Sequence, residues 1–296
     1  MRAEHNIATA SGHGGAGPAG GDAAPPDWTV APPGCRGPVV SQDPATGPWP
    51  AWAVPQLRHA LRLAGRTVAR NARTAVAPEL YRSWFNPMVG PAVEPARPQV
   101  PLAGLYRRAH AGSCSRVLLD GVATVDRRDV IARDGWWRTW GYGWRPAESR
   151  RESIRIVMTP RPDALAQLIT AITAVLLDEP APWLLACATD SRRLRRGGGA
   201  VLHLPHCSPL TAELVRAVAP HLRPVTPPLC LPVGFGLGLA DDPDNGMSFG
   251  ESRCHLIALA LRGRRAREAP LRAIADVFRS HGIDPARPYL SRPACQ

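Results

Sequence analysis

The sequence predicts an α+β fold, in which helices pack against a mixed or antiparallel sheet and a disordered tail precedes them. Three observations predict it. The first fifty residues are rich in Gly, Ala and Pro, with apolar side chains too scattered to mark a buried face. Apolar runs separated by Asp-Gly pairs follow at residues 116–140, a pattern typical of β-hairpins. Helical patterns and single strands then alternate irregularly, which favours α+β over a doubly wound sheet.

The chain of 296 residues divides into three predicted regions. Residues 1–50 form the tail, because their composition cannot offset the entropy lost on ordering them. Residues 51–103 hold an amphipathic helix after Pro55 and a Pro-rich linker from residue 86. Residues 104–296 form the main α+β domain. We expect the tail to be dispensable for folding.

The helix after Pro55 has an apolar face and an arginine face. The apolar face carries Leu57, Leu61, Ala64 and Val68, and the other carries Arg58, Arg62, Arg66 and Arg70.

Periodicity and turn residues predict the elements of the main domain. Strands are expected at residues 116–119, 122–125, 130–133, 136–140, 153–158, 183–187, 200–204 and 226–233. Helices are expected at residues 165–176, 208–218, 249–262 and 270–281, the second beginning at Ser208-Pro209. Residues 191–199 are expected to form an Arg/Gly loop.

The run Gly234-Phe235-Gly236-Leu237-Gly238 has two interpretations. Its glycines suggest a nucleotide-binding loop, but Asp241 and Asp242 follow where a phosphate-binding helix would start, and they would repel phosphate. We therefore expect a tight, mobile loop. As adjacent loop residues, the two aspartates also point apart and do not form an acid–base pair.

The charge of the chain is unusual because all 36 basic residues are arginine, with a net charge of +12. Arginine without lysine is typical of codon bias in a high-GC genome, while the net charge favours an acidic partner. No lysine is present to act as a base. The arginine clusters at residues 192–196 and 262–265 lack interleaved aromatic residues, so we expect solvated faces and no nucleic-acid partner.

The sequence predicts a soluble, cytoplasmic protein. No apolar run follows the N-terminus as in a signal peptide, and no segment is long enough to span a membrane. Seven cysteines, with no Cys-x-x-Cys pair, indicate reduced thiols. His203, His206 and Cys207 lack a fourth ligand at a suitable spacing, so we expect no metal and no cofactor.

The sequence Ser248-Phe249-Gly250-Glu251 fits two interpretations. It matches a capping box, in which Ser248 caps a helix and Glu251 reaches back to the amide of the cap. A helix N-terminus with Arg253 one turn in is also a natural anion site, with Ser248 and Gly250 in the binding loop. Because Glu251 would occupy part of the positive end, the spacing favours the structural interpretation.

Residues 237–243 and 247–254, together with Gly282-Ile283-Asp284 and residues 287–290, resemble the HopA-type family of type III secretion effectors. Ile154-Arg155-Ile156 is similar to the arginine-bearing strand of that family, and Arg196 before residues 200–203 resembles a second such strand. The resemblance covers roughly residues 104–296.

Related proteins also occur in actinobacterial pathways for modified peptides, including class V lanthipeptides and thioviridamide-like compounds. The resemblance implies a partner kinase of the aminoglycoside-phosphotransferase type, which phosphorylates Ser or Thr of a precursor peptide. The HopA-type protein then eliminates phosphate to form a dehydroamino acid. This chemistry needs a base at Cα–H and arginines on the phosphate. The phosphate-binding candidates that the resemblance implies are Arg155, Arg196 and Arg253.

Three positions depart from the family pattern. Ala186 stands where the family carries lysine, Gly198 where it has an acid, and His203 where it has tyrosine. The chemistry has therefore either moved to His203 or His206, or been lost. His255 is a third possible base, with the least weight because it lies along a helix face.

Two functions remain open. The first is a phosphoserine/phosphothreonine lyase-like subunit that acts on a phosphorylated precursor peptide. The second is a catalytically inactive relative that binds the precursor or the kinase. We expect the three arginines to converge on one anion pocket. His203 is either the base of the reaction or a buried histidine with a structural role, and the two interpretations have equal weight.

Overall fold

The computed structural model describes most of the chain from residue 47 onward. The described residues are 47–70, 75–88, 102–112, 116–119, 123–126, 135–141, 143–144, 153–177, 179–194, 196–205, 212–241, 243, 247–262 and 269–291. Residues 1–46 of the predicted tail lie outside these ranges, and so do the predicted strand at 130–133 and residues 206–211.

The helices of the described residues fall before, between and after the strands. They are α1 (Ala53–Arg70), α2 (Val76–Leu80), α3 (Leu102–Ala109), α4 (Leu165–Val175), α5 (Ser191–Leu194), α6 (Ala212–Val218), α7 (Phe249–Ala260) and α8 (Pro270–Ser280). A π-helical turn, Tyr81–Phe85, continues α2, and short 3-10 turns at Pro162–Ala164 and Ala219–His221 flank α4 and α6.

The strands form two sheets. They are β1 (Arg116–Leu119), β2 (Ala123–Asp126), β3 (Trp136–Trp140), β4 (Ser153–Met158), β5 (Leu184–Ala188), β6 (Ala200–Pro205), β7 (Leu231–Gly234) and β8 (Leu237–Asp241). β1 and β2 form an antiparallel pair, and the other six form an antiparallel sheet in the order β3-β5-β6-β4-β8-β7. The predicted α+β class with an antiparallel sheet is confirmed.

One face of the six-stranded sheet is apolar, and we call it the apolar face. Ile154, Ile156 and Met158 of β4 lie on it, because alternate side chains of a strand point to the same side. The apolar stripe of α4 covers this face with Leu168, Ile169 and Ile172, all fully buried. Helices α3 and α6 complete the layer.

The opposite face, which we call the mixed face, carries both apolar and charged side chains. Val157 and Ala240 on it pack in a second cluster with residues of α1, α2, α7 and α8. Trp49 belongs to this cluster: its side chain is 1% exposed, meets Phe278 edge-on, and donates a hydrogen bond to the Leu271 carbonyl at 3.0 Å. Trp49, which lies inside the predicted tail, is therefore part of a packed core, and α1 shares this core with helices of the predicted main domain.

The predicted loop at residues 234–238 is wrong, because the chain forms a hairpin there. Only residues 235 and 236 turn, with Gly236 at φ +69°, and β8 begins at Leu237. Gly238 is a strand residue, and a Cβ on it would come within 2.7 Å of the Cys230 Cβ. Its glycine therefore serves close packing inside a strand rather than loop mobility.

The predicted strand at 226–233 is shorter than expected. Residues 228–230 form a turn and bend before β7, in which the buried Leu229 has φ 60°. The side-chain oxygen of Gln56 accepts a hydrogen bond from the Leu229 amide at 2.8 Å, so α1 supports this unusual backbone.

Sequence patterns missed three helices. In α2, Pro78 resembles a helix breaker, yet it lies in the first turn, where a proline removes no intrahelical hydrogen bond. Helix α3 overlaps the end of the Pro-rich stretch, and α5 is a single turn inside the predicted Arg/Gly loop. Within the part of the chain that the structure describes, no helix combines the length and apolarity needed to cross a membrane.

Candidate functional site

Two rows of side chains cross the mixed face at its centre. One row runs from Trp140 of β3 through Leu184 and His203 to Arg155 and then Ala240. Directly paired residues of antiparallel strands have Cβ atoms about 5 Å apart. Arg155 and His203 are such a pair. The register thus places a candidate phosphate ligand beside a candidate base.

The neighbouring row contains an arginine that the sequence did not single out. It runs from Arg138 of β3 through Ala186 and Val201 to Val157. Arg138 is half-buried and directly opposite Ala186, where the family resemblance led us to expect lysine. Its place in the predicted strand at 136–140 was the available signal, but only the strand pairing reveals that it faces the same side as Arg155.

His203 is a buried polar residue of this face. Its side chain is 5% exposed, and its ring meets that of Trp144 edge-on, with centroids 5.9 Å apart. Arg155 is half-buried. Burial beside a large aromatic ring limits the water around His203, so a charged partner would interact with it more strongly than at the surface.

Arg253 lies in the interior, beneath the surface of the site. It is 0% exposed, its Nε donates to the Pro288 carbonyl at 2.8 Å, and one Nη donates to the Leu290 carbonyl at 2.9 Å. The guanidinium lies over the Phe249 ring, 4.5 Å from its centroid. Burial lowers the pKa of Arg253 to about 10, although nearby Asp241 opposes the shift.

The charges of Arg253 and Arg155 both affect the buried thiol of Cys230. Burial raises the pKa of the Cys230 thiol to about 12, and the positive charges of Arg253 and then Arg155 oppose this rise. The positive charges of two of the three predicted arginines therefore act on the same buried thiol.

Arg196 lies elsewhere, before β6. One Nη donates to the carbonyl of Asn86 at 3.1 Å, and the backbone of Arg196 bridges that of Met88. Asn86 also neighbours Tyr81. Burial raises the pKa of Tyr81, whereas its hydrogen bonds with Ser248 and Asn86 lower it. Arg196 thus contacts the segment after the π-helical turn rather than the Arg155–His203 pair.

The capping box at the start of α7 is confirmed. A carboxylate oxygen of Glu251 accepts hydrogen bonds from the Ser248 amide at 2.9 Å and the Ser248 hydroxyl at 2.7 Å. An external phosphate would have to displace this carboxylate from the positive end of the helix. Gly250 is required for packing, because the Phe85 ring occupies the space that a Cβ would take.

The other residues that the sequence singled out lie away from the Arg155–His203 pair or outside the described part of the chain. His206 and Cys207 lie outside the described residues, and His255 is exposed on α7. Gly198 has φ +77° in the turn before β6, and a Cβ there would come within 3.0 Å of Val157, so the backbone of this turn favours glycine. Among the described residues, no group of three His, Cys, Asp or Glu side chains could hold a metal ion.

These features define an α+β protein with a buried histidine beside an arginine on one face of an antiparallel sheet. The chain belongs to the HopA1 effector protein family, whose model matches residues 142–290, half of the chain. The family predicted from the motifs is thereby confirmed. The matched range includes β4, β6 and α7, which carry Arg155, His203 and Arg253.

Two solved structures share the fold. One is described as the effector protein from Pseudomonas syringae pv. syringae strain 61, with a TM-score of 0.57, 16% identity, and coverage of 81% of this chain and 98% of that one. The other, from Pseudomonas syringae pv. tomato strain DC3000, has a TM-score of 0.55, 14% identity, and coverage of 81% and 100%. No curated protein matches the chain.

Proposed function

We propose that this protein is a phosphoserine/phosphothreonine lyase-like subunit that eliminates phosphate from a kinase-phosphorylated precursor peptide. The observation that carries the proposal is the cross-strand pair of Arg155 and His203 on the mixed face. A guanidinium matches the geometry of phosphate oxygens, and a neutral imidazole is a competent base. The register holds both groups on rigid strands rather than on loops.

The proposed reaction is a β-elimination. His203 accepts the proton from Cα of the phosphorylated residue, and the electron pair of that bond forms the Cα–Cβ double bond. The Cβ–O bond breaks, and phosphate leaves with its electron pair. The product is dehydroalanine from phosphoserine or dehydrobutyrine from phosphothreonine, and no water is added. Arg155 stabilises the phosphate as its negative charge increases.

Arg253 and Arg196 have different places in this proposal. Because Arg253 is buried and donates to the backbone of residues 288–290, it adds positive potential near Arg155 without touching the phosphate. Arg196 binds the Asn86 carbonyl and acts as a second, outer contact for the peptide. Arg138 faces the same side as Arg155 and supplies positive charge next to Ala186.

The direct test is to incubate the protein with a phosphorylated precursor peptide and to weigh the product. Loss of the mass of phosphoric acid is expected, whereas a phosphatase would replace phosphate by a hydroxyl group. His203→Gln should abolish elimination and keep peptide binding, because Arg155 remains. His255→Gln is the matched control, since His255 is exposed on α7 and should change neither. Elimination at the parent rate by His203→Gln would disprove the assignment of the base.

The pH dependence gives an independent readout. The imidazole must be neutral to accept a proton, so the rate should rise with pH across the range in which a histidine loses its proton. The rate at each pH is measured by phosphate release. A rate that is flat across this range would argue against a histidine base.

The alternative function is a catalytically inactive subunit that binds the precursor peptide or the kinase. The absence of lysine from the whole chain and the 5% exposure of His203 favour it. In this case, wild type and His203→Gln would both bind the phosphopeptide and neither would release phosphate. Arg155→Gln should weaken phosphopeptide binding both in the lyase and in an inactive subunit that binds the precursor, because both place the guanidinium on the phosphate.

A further inference from the structure

Helix α1 has one face that the protein interior covers and one that it leaves open. Leu57, Ala60 and Ala64 are buried in the second cluster. On the opposite side, Arg58, Arg62 and Arg66 are exposed. They recur at every fourth position, so each follows the last by one turn, about 6 Å along the axis.

These three arginines have no charged partner within the described part of the chain. Helix α1 contains neither Asp nor Glu. Like charges at every fourth position of a helix repel, at a cost of about 0.2–0.5 kcal/mol for each pair. The free protein therefore bears this repulsion without any compensation among the described residues.

Elsewhere the chain does compensate exposed arginines. Arg82 pairs with Glu79 at 2.8 Å, and Arg279 pairs with Asp276 at 3.1 Å, each one helical turn away. Codon bias explains why the basic residues are arginine rather than lysine, but it does not explain why one helix face gathers three of them without an acid.

The helix surface next to Arg62 and Arg66 carries small residues. Gly65 is exposed, with open space where a Cβ would stand, and Ala69 beside it is also exposed. A partner can therefore approach the helix backbone while the arginines reach around it. The exposed residues of α1 include no Phe, Tyr or Trp on which a nucleic-acid base could stack, whereas a guanidinium binds a carboxylate through two parallel hydrogen bonds.

We propose that the arginine face of α1, formed by Arg58, Arg62 and Arg66, docks an acidic helical segment of a partner protein. Carboxylates at every fourth position of that segment match the spacing of the arginines. This docking surface is independent of the elimination chemistry, because α1 contributes no residue to the Arg155–His203 pair.

The probe is a fluorescently labelled helical peptide with glutamate at every fourth position, titrated with the full chain and followed by anisotropy. The variant Arg58→Gln/Arg62→Gln/Arg66→Gln should bind it about tenfold more weakly, as expected for the loss of three exposed ion pairs. The matched control, Arg108→Gln/Arg216→Gln/Arg272→Gln, removes three exposed arginines from α3, α6 and α8 and should bind as the wild type does.

Two comparison probes sharpen the result. A peptide with glutamine in place of glutamate should not bind, and a single-stranded oligonucleotide of equal charge should bind more weakly than the acidic peptide. Equal affinity of the two triple variants for the acidic peptide would overturn the proposal, and so would tighter binding of the oligonucleotide through the same arginines. If the triple variant loses its helical circular dichroism, Arg62→Gln replaces it, with an expected loss of about threefold.

Discussion

The two faces of the central sheet are built from the same strands but bury different chemistry. Ile154, Ile156 and Met158 lie on the apolar face, whereas Arg155 and Val157 alternate with them on the mixed face. Helix α4 closes the apolar face mainly with hydrocarbon side chains, such as Leu168, Ile169 and Ile172. Beside the mixed face, Arg253 is held by backbone carbonyls and aromatic rings. A face that tolerates buried charge is the one on which catalytic groups can be placed.

The largest expected effects compare the cores on the two sides of the sheet. Leu168→Ala should lower the free energy of unfolding by about 2–5 kcal/mol and Trp49→Ala by about 3–5 kcal/mol, because both side chains are at most 1% exposed. Urea denaturation followed by circular dichroism measures both values. A loss below about 1 kcal/mol for Trp49→Ala would mean that the core beside the mixed face does not depend on the chain before α1.

A smaller effect is expected at the start of α7, next to the mixed face. Gly250→Ala places a methyl group where the Phe85 ring packs, and should cost about 1–3 kcal/mol of stability. Gly65→Ala is the matched control, since Gly65 also lies in a helix but has open space around it. That substitution should stabilise the protein by about 0.5–1 kcal/mol, because alanine is the better helix former. Thermal unfolding of the two variants should therefore shift in opposite directions.

The dependence of stability on alkaline pH tests whether water is excluded from the core beside the mixed face as fully as from the core on the apolar face. Burial raises the thiol pKa of Cys187 on the apolar face, and of Cys230 and Cys254 beside the mixed face. A raised folded-state pKa means that the unfolded chain loses these protons first. Stability is therefore complete below the ordinary thiol pKa of 9.0 and falls as the pH rises above it, by up to about 1.4 kcal/mol per pH unit for each thiol.

Single substitutions separate the two sides in that experiment. Cys187→Ala and Cys254→Ala should each reduce the slope of stability against pH by the contribution of one thiol. Denaturation curves measured between about pH 8 and pH 11 give both slopes, because this range begins below the ordinary thiol pKa of 9.0 and ends below the raised values. An unchanged slope for Cys254→Ala alone would show that water reaches the mixed face.

The smallest effect is expected from removal of residues 1–46. Their composition predicts that they add no packing, so the truncated protein should keep its free energy of unfolding within about 0.5 kcal/mol. The cut leaves Trp49 in place, which distinguishes this result from that of Trp49→Ala. A drop of the size expected for Trp49→Ala would show that the segment packs against the domain.

Local patterns predicted much of the secondary structure. β3 and β4 have the predicted bounds, and α4, α7 and α8 lie within two residues of theirs. These elements combine strong periodicity with clear turn or capping residues, as at Gly135 and Ser248. The hairpin of β7 and β8 was predicted wrongly because its glycines serve a two-residue turn and a tight strand contact, and a glycine-rich run does not distinguish these from a loop.

The candidate site was predictable in part. Arg155, His203 and Arg253 were singled out through the family resemblance, and the register then placed the first two side by side. Arg138 was missed because its relevance depends on β3 pairing with β5, a contact between residues about fifty positions apart. Likewise, nothing local indicates that Arg253 donates to carbonyls at residues 288 and 290.

By itself, the sequence determined the fold class, the lack of any lysine, the capped start of α7 and the family. These depend on composition, on periodicity over a few turns and on contacts within one element. Only the tertiary structure decided that Arg253 is buried and that Arg155, His203 and Arg138 share one face. The reason is physical: strand pairing and burial are set by contacts between distant segments, and whether an arginine is a ligand or a core residue depends on which carbonyls and rings surround it.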